Sequence, residues 1–471
     1  MKKNDELVGL VVALGANGEG IIKKDGTVVF VPFTLVGEKV KFKVLKVTSK
    51  CAYGKVVEVL TPAEMRVRAK CPVFGKCGGC QLQHIKYLNQ LKLKEDNIAT
   101  TFKKVANLSV DVKPAVKGDD QFRYRNKLQL PVIATEKGTQ IGFYAENSHR
   151  VVPIDDCIIN APWTRNVIFA FNKYIEEFNI KGYDEKINQG EIREITVKEI
   201  KGNLIVTVVS LSEKLRGKDR LIEILKQDLK YTFSLYLNVN AKDTNVIFGD
   251  KFYLLYGEPD YIGDMLGVKY KIGVQSFMQV NNSVCSKLYS SVRELVDADE
   301  DTVVIDAYSG AGLMTALLAK NAKRAIGIEI VPEAVACAND LAEKNALSEK
   351  ISNYQGKCED ILPDIIKKER LNNSKICLVL DPPRKGCDIK VINSIIESNI
   401  DKIVYVSCKP STLARDVGLL VGTLETVGNE IKKAEKSANR YEVTFVRPFD
   451  MFAQTKHVET LVCLTRVNHN I

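Results

Sequence analysis

The stretch "TVVIDAYSGAG", residues 302–312, runs from a short apolar segment with a β-branched bias into a turn with glycines at 310 and 312. "LMTALLAK" follows and reads as a helix, so the unit is strand, turn, helix. The rhythm repeats downstream: "RAIGIEI" then "PEAVACANDLAEKNA", "ICLVLDPPRKG", and "KIVYVSCKP" then "STLARDV". Continuous apolar strands alternating with helices predict a parallel, doubly wound sheet, buried on both faces. In such a sheet ligands sit at the carboxyl ends of the strands, which makes residues at those ends the candidates for chemistry.

Upstream the pattern differs. From Leu7 to about Leu60, short strands are punctuated by "GANGEG", "KKDG", "TLVGE" and "AYG", which predicts a small β-barrel. In "EKVKFKV" the lysines Lys39, Lys41 and Lys43 alternate with Val40, Phe42 and Val44. One strand face is then buried and the other offers a basic ridge that suits a phosphate backbone. The plainer alternative is an edge strand guarded by lysines. "YLNQLKLKEDNIATTFKKV" carries Leu88, Leu91, Ile98 and Phe102 in a helical stripe, and the stretch to about residue 260 is strand-rich. There "FRYRNKLQL" reads as a second basic strand, with Arg123, Arg125 and Lys127 on one face and Tyr124 opposite. The expected domains are residues 1–63, 64–262 and 263–471, with the helix at 88–105 packing on the last.

With 471 residues the chain exceeds a single core, and 45% hydrophobic and 27% charged residues are those of an ordinary globular protein. No signal peptide and no apolar run of about 18 residues is visible, which predicts a cytoplasmic protein without membrane contact. In that compartment the 12 cysteines are expected as reduced thiols or metal ligands. The net charge of +10, from 68 basic and 58 acidic residues, favours an acidic partner without proving one.

Asp306, Gly310 and Gly312 occupy the first crossover. A nicotinamide dinucleotide site would want a third glycine where Thr315 stands. The Asp-x-x-x-Gly-x-Gly spacing instead resembles the first motif of S-adenosylmethionine (SAM) methyltransferases. Glu329, ending the next strand, is then placed to accept from ribose hydroxyls. Asp381 and Arg384 are aimed by the paired prolines Pro382 and Pro383. Cys408 ends an apolar strand beside Lys409 and a helix start, an environment expected to favour the thiolate, although a buried inert cysteine is the alternative. A thiolate added to C6 of a pyrimidine makes C5 nucleophilic, and a base must later remove the C5 proton. Glu459, at the start of the last apolar strand, is the candidate base; otherwise it marks a solvated strand start.

"CPVFGKCGGC", residues 71–80, holds Cys71, Cys77 and Cys80, an incomplete tetrahedral set that requires a fourth ligand. Zinc completed by His84 or Cys51 is one reading.

Taken together, "VGEKV", "CPVFGKCGGC", "SFMQVN", "DAYSGAG", "IGIE", "DPPRKG", "VSCKPSTLARD" and "HVETL" resemble, in order and spacing, the RNA 5-methyluridine (uracil-C5) methyltransferases, in particular the bacterial branch acting on 23S ribosomal RNA. The resemblance implies an α/β protein with an N-terminal OB-like TRAM barrel that binds RNA, a central mostly β domain carrying an iron-sulfur cluster, and a C-terminal Rossmann-like methyltransferase domain. It implies Cys408 as nucleophile and Glu459 as proton acceptor. Gln279, Tyr308, Glu329 and Asp381 would line the SAM site, with Phe277 near a flipped uridine. It also supplies Cys157, in "VVPIDDC", as fourth thiolate of a [4Fe-4S] cluster. The expected partner is structured 23S ribosomal RNA, not DNA, and the expected state is a monomer. The same chemistry on a transfer RNA uridine, or a non-catalytic RNA-binding protein with a redox-sensing cluster, are the rivals.

Overall fold

The computed structural model describes residues 1–15, 17–372, 374–398, 400–428, 430–435, 437–438 and 440–467. At the N-terminus β1 (Glu6–Leu14), β2 (Gly20–Lys24), β3 (Thr27–Val31), β4 (Lys39–Val47) and β5 (Ala52–Thr61) close into a barrel in the order β1-β2-β3-β5-β4. Val40, Phe42 and Val44 fill its interior with Val11, Ile22, Val29 and Val31, so Lys39, Lys41 and Lys43 face outward. Because β4 pairs with both β1 and β5, it is not an edge strand, and the lysines are not edge guards. Lys41 pairs with Glu6 at 2.7 Å across β1.

Helix α1 (Tyr87–Ala106) follows the cysteine-rich segment. Its buried face is Gln90, Leu91, Lys94, Ile98, Phe102 and Ala106, whereas Leu88, expected in the stripe, is 71% exposed. Polar Gln90 and Lys94 take that side because partners wait in a C-terminal loop: Gln90 bonds Gln454, and Lys94 pairs with Asp450.

The central region is a seven-stranded sheet, β12-β11-β10-β9-β6-β7-β8, built from β6 (Lys127–Thr135), β7 (Gly138–Tyr144), β8 (Val151–Pro153), β9 (Ile192–Ile200), β10 (Asn203–Ser210), β11 (Thr232–Val239) and β12 (Lys251–Tyr256). It is less purely β than expected, because α2 (Trp163–Phe178) and α3 (Lys218–Asp228) cover one face. Trp163, Phe171, Tyr174, Leu221 and Leu225 form the core there with Leu128, Val197 and Leu235. The basic strand expected at 122–130 is also corrected: β6 begins only at Lys127, and Arg123 has φ +56°. That turn swings Arg123 onto Asp156 at 2.5 Å, away from Arg125 and Lys127.

After a hairpin of β13 (Asp260–Met265) and β14 (Val268–Gly273), and α4 (Asn282–Val296), the doubly wound unit begins. Its strands are β15 (Thr302–Ala307), β16 (Arg324–Glu329), β17 (Ile351–Gln355), β18 (Lys375–Leu380) and β19 (Lys402–Ser407), all parallel. Helices α5 (Leu313–Ala319), α6 (Pro332–Lys344), α7 (Cys358–Leu371), α8 (Ile389–Ser398) and α9 (Pro410–Val421) connect and follow them. A small hairpin, β20 (Leu424–Val427) with β21 (Glu430–Lys433), precedes the antiparallel β22 (Tyr441–Phe449) and β23 (Glu459–Arg466). The sheet order is β17-β16-β15-β18-β19-β23-β22, so the chain reverses its direction of growth at β15. Helix α1 packs on α9, with Ile98, Phe102 and Ala106 in the same core as Leu413 and Val417. Among the described residues no helix is long and apolar enough to cross a membrane.

Candidate functional site

The turn after β15 is built by backbone geometry. Tyr308 has φ +68°, Gly310 φ +54° and Gly312 φ +80°, the left-handed region where a side chain costs energy. A Cβ on Gly312 would lie 2.7 Å from that of Ala338, so glycine also permits α5 to approach α6. Thr315, which spoils the dinucleotide fingerprint, is fully buried and donates its hydroxyl to Asp306 at 2.6 Å, fixing α5 to the end of β15.

Gln279, Tyr308, Asp381, Cys408 and Glu459 line one cavity of about 570 Å³ at the carboxyl ends of β15, β18 and β19. Glu329 is half-buried at the end of β16, where its carboxylate accepts from the N–H of Gly310, a residue of the cavity wall, at 3.0 Å and of Val331 at 2.8 Å. Arg384, Tyr289 and Cys285 also line the cavity; the last two lie on α4, where nothing in the local sequence marks them.

The electrostatics differ from the sequence expectation. Cys408 is partly buried, and its thiol pKa is raised, first by burial and then by Glu459; Arg384, not Lys409, opposes the rise by hydrogen bond and charge. Glu459 is 5% exposed, not a solvated strand start, and burial followed by the charge of Asp381 pushes it up to about 8. Asp381 is open to the cavity yet set deep among protein atoms, which raises its carboxyl pKa. Thiol and carboxyl therefore compete for protons in one enclosure, with Arg384 biasing both toward ionisation.

The "STLARD" segment holds the "DPPRKGC" loop. Asp416, fully buried, accepts from the Cys387 N–H at 2.9 Å and the Tyr405 hydroxyl at 2.6 Å, and Arg415 donates to the carbonyls of Lys385 and Cys387. Cys408 and Arg384 also border a cleft of about 290 Å³ on the other side, reaching Lys409 and His457. That cleft shares Asn17, Asn97, Thr101 and Lys456 with a larger one, about 750 Å³, between the barrel and α1. Tyr53, stacked on Phe30 with ring centroids 5.7 Å apart, lies in its wall.

Cys71, Cys77, Cys80 and Cys157 line a separate cavity of about 240 Å³, whose wall mixes apolar residues such as Val73, Phe74 and Ile158 with polar and charged ones such as Gln83, Lys127 and Asp156. His84 is outside that lining, packed against Phe33 and Phe74, and Cys51 bonds Thr48 in the barrel. Burial raises the Cys77 thiol and pushes Cys80 up to about 12 and Cys157 to about 11. Among the described residues no group of three or more His, Cys, Asp or Glu side chains is arranged to hold a metal ion. The N–H of Gly79 points at Cys77 Sγ, 3.3 Å away, and a Cβ on Gly78 would meet the Glu146 backbone at 2.9 Å. Arg125 and Lys127 line both this cavity and the one at Cys408, a role not visible in their strand-like spacing.

Comparison with known proteins agrees with this architecture. Residues 86–467 match the model of the family described as tRNA (Uracil-5-)-methyltransferase, and residues 10–57 match the TRAM domain. An uncharacterized RNA methyltransferase of Clostridium acetobutylicum is 37% identical, covering 99% of this chain and 98% of its own. Another from Clostridium tetani is 36% identical over 99% and 97%. Among solved structures, the Pyrococcus abyssi tRNA (uracil-54, C5)-methyltransferase in complex with S-adenosyl-L-homocysteine superposes with a TM-score of 0.74 at 24% identity, covering 98% of this chain and all of that one, a likeness of fold. With a matching family model over most of its length and full-length relatives above 30% identity, the chain belongs to the tRNA (uracil-5-)-methyltransferase family and is an RNA uracil-C5 methyltransferase.

Proposed function

We propose that this enzyme uses SAM to form 5-methyluridine in 23S ribosomal RNA through a covalent bond between Cys408 and C6 of the target uridine. The observation that carries the mechanism is the meeting of Cys408, Glu459, Arg384 and Asp381 in one enclosure. Cys408 gives up its proton to solvent water and its sulfur bonds to C6, the C5–C6 π pair moving onto the ring as an enolate; the positive charge of Arg384 favours the thiolate at that moment. SAM, when bound, supplies the electrophilic methyl group that C5 takes. Gln279, Tyr308, Glu329 and Asp381 would hold it, with the Glu329 carboxylate also accepting from the Gly310 N–H. Ionised Glu459 then removes the C5 proton, the C5–C6 double bond reforms, and the Cys408 thiolate leaves. A carboxyl with a pKa of about 8 suits that task near neutrality, because a stronger acid would be a weaker base.

The target base must leave its stack to reach Cys408, and the cleft leading from Cys408 to the stacked pair Phe30–Tyr53 suits an unpaired strand. The 23S ribosomal choice rests on the cysteine segment and the motif pattern. A transfer RNA uridine is the second reading, favoured by the name of the matched family and by the substrate in the name of the Pyrococcus abyssi relative. We further infer that Cys71, Cys77, Cys80 and Cys157 hold a [4Fe-4S] cluster. Four thiols lining one cavity, with an N–H directed at Cys77 sulfur, fit a large four-thiolate cluster. They fit a single zinc less well, since its sulfurs must all lie about 2.3 Å from one point.

Mass spectrometry of ribosomal and transfer RNA fragments after incubation with SAM decides the substrate. A 5-methyluridine in 23S RNA is expected, and one confined to transfer RNA would overturn the choice. Cys408→Ala is expected to abolish transfer while SAM still binds; normal turnover by that variant would refute the covalent route.

A further inference from the structure

Lys198 lies on β9 of the central sheet, is 4% exposed, and faces no carboxylate in any contact among the described residues. Its Nζ donates instead to three backbone carbonyls, those of Val274 at 2.7 Å, Ser276 at 2.5 Å and Gly273 at 3.4 Å. We infer that Lys198 is a positioning residue of the methyl-transfer reaction, gripping the loop between β14 and α4 so that it presents Phe277 and Gln279 to the substrate cavity.

The loop needs such a grip, because residues 274–280 have no ladder or helix to order them. Within it, the N–H of Gly273 donates to Ser276 Oγ and the N–H of Ser276 to the Gly273 carbonyl, closing a tight turn whose outer carbonyls point at Lys198. Val274 and Met278 insert into an apolar cluster with Ile200, Ile205 and Tyr236 of the central sheet. Phe277, between them, is 80% exposed at the rim of the cavity. An aromatic ring left in water while its neighbours are buried forfeits about 2 kcal/mol of burial, so the backbone must be held for it to stay out. At the far end Asn126, also from the central region, donates its side-chain amide to the Gln279 carbonyl at 3.1 Å and its N–H to Val280.

A buried ammonium without an anion is costly, and a leucine or methionine would pack at lower cost. Burial, with the charge of Lys127, lowers the Lys198 pKa to about 7, whereas three carbonyl acceptors favour the charged form. The cation is thus matched to the loop it holds. The inference rests on the proposed use of the cavity, and it names a residue outside the methyltransferase sheet through which the central region governs substrate fit.

The test is a double-mutant cycle on an unmodified RNA transcript that accepts methyl groups from SAM. Lys198→Met keeps the aliphatic stem and removes the donors. It is expected to lower kcat/KM for RNA by about tenfold to a hundredfold and to increase hydrogen exchange in residues 273–280. In a Phe277→Ala background the same change is expected to cost clearly less, because the part that acts through Phe277 is already lost and only the part through Gln279 remains. Should Lys198→Met not fold, Lys198→Arg, which keeps charge and donors at a longer reach, enters the same cycle. Equal losses in both backgrounds, or no loss at all, overturn the inference. Cys408→Ala run alongside separates the readings: if it still methylates, the proposed mechanism fails, whereas a dead Cys408→Ala with parental Lys198→Met removes only the role of Lys198.

Discussion

At Cys408, the proposed nucleophile, the protonation state is set by competing neighbours. Burial and Glu459 hold the thiol protonated, and Arg384 draws it toward the thiolate. Removing the guanidinium by Arg384→Met is expected to move the pH–rate curve to higher pH and to lower turnover at pH 7 by about a hundredfold; the pH dependence of Cys408 alkylation by iodoacetamide checks the direction. Glu459→Gln removes the proposed proton acceptor and is expected to leave an RNA–protein adduct that survives a denaturing gel. It should also change stability. The folded-state pKa of about 8 lies above the ordinary carboxylate value of 4.5, so folded protein binds the extra proton between them and loses stability as pH rises through that window. Glu459→Gln is therefore expected to be more stable than the parent at pH 8, by on the order of 2 kcal/mol, with the gap closing by pH 5. Urea melts at the two pH values measure it.

Helix α1 acts as a strut between parts distant in sequence. Its apolar residues join the core beneath α9, while Lys94, Gln90 and Tyr87 reach the loop at 450–457 that leads into Glu459. Lys94 and Asp450 are both buried, and Asp450 also accepts from the Tyr87 hydroxyl at 2.7 Å. Lys94→Met leaves that carboxylate without its cation and is expected to cost about 3–5 kcal/mol, whereas exchanging both for Met and Leu should recover much of it; chemical denaturation of the three forms tests this. The helix was legible from its apolar spacing, but not the direction of its polar residues, because Gln90 and Lys94 find buried partners more than three hundred positions away.

Over the whole molecule the cysteine segment is a joint. The N–H groups of Gln81 and Leu82 donate to the Gln454 carbonyl, that of Gly78 donates to Tyr144, and Cys157 closes the cavity from the central region. On the proposed four-thiolate cluster, Cys77→Ser is expected to lose iron and visible absorbance, and to weaken RNA binding before it slows methyl transfer at saturating RNA; a cluster-free variant with parental RNA affinity would contradict that order. What the sequence alone determined is whatever local pattern dictates: the barrel from its turns and alternating lysines, the parallel sheet from apolar runs, and the strand-end positions of Asp306, Asp381 and Cys408. Two helices on the central sheet and the turn at Arg123 were decided by tertiary structure. So was the ionisation of the site. Charge and burial act through space, and the groups that oppose or support Cys408 arrive from β18, β23 and the loops between them, which no spacing along the chain brings together.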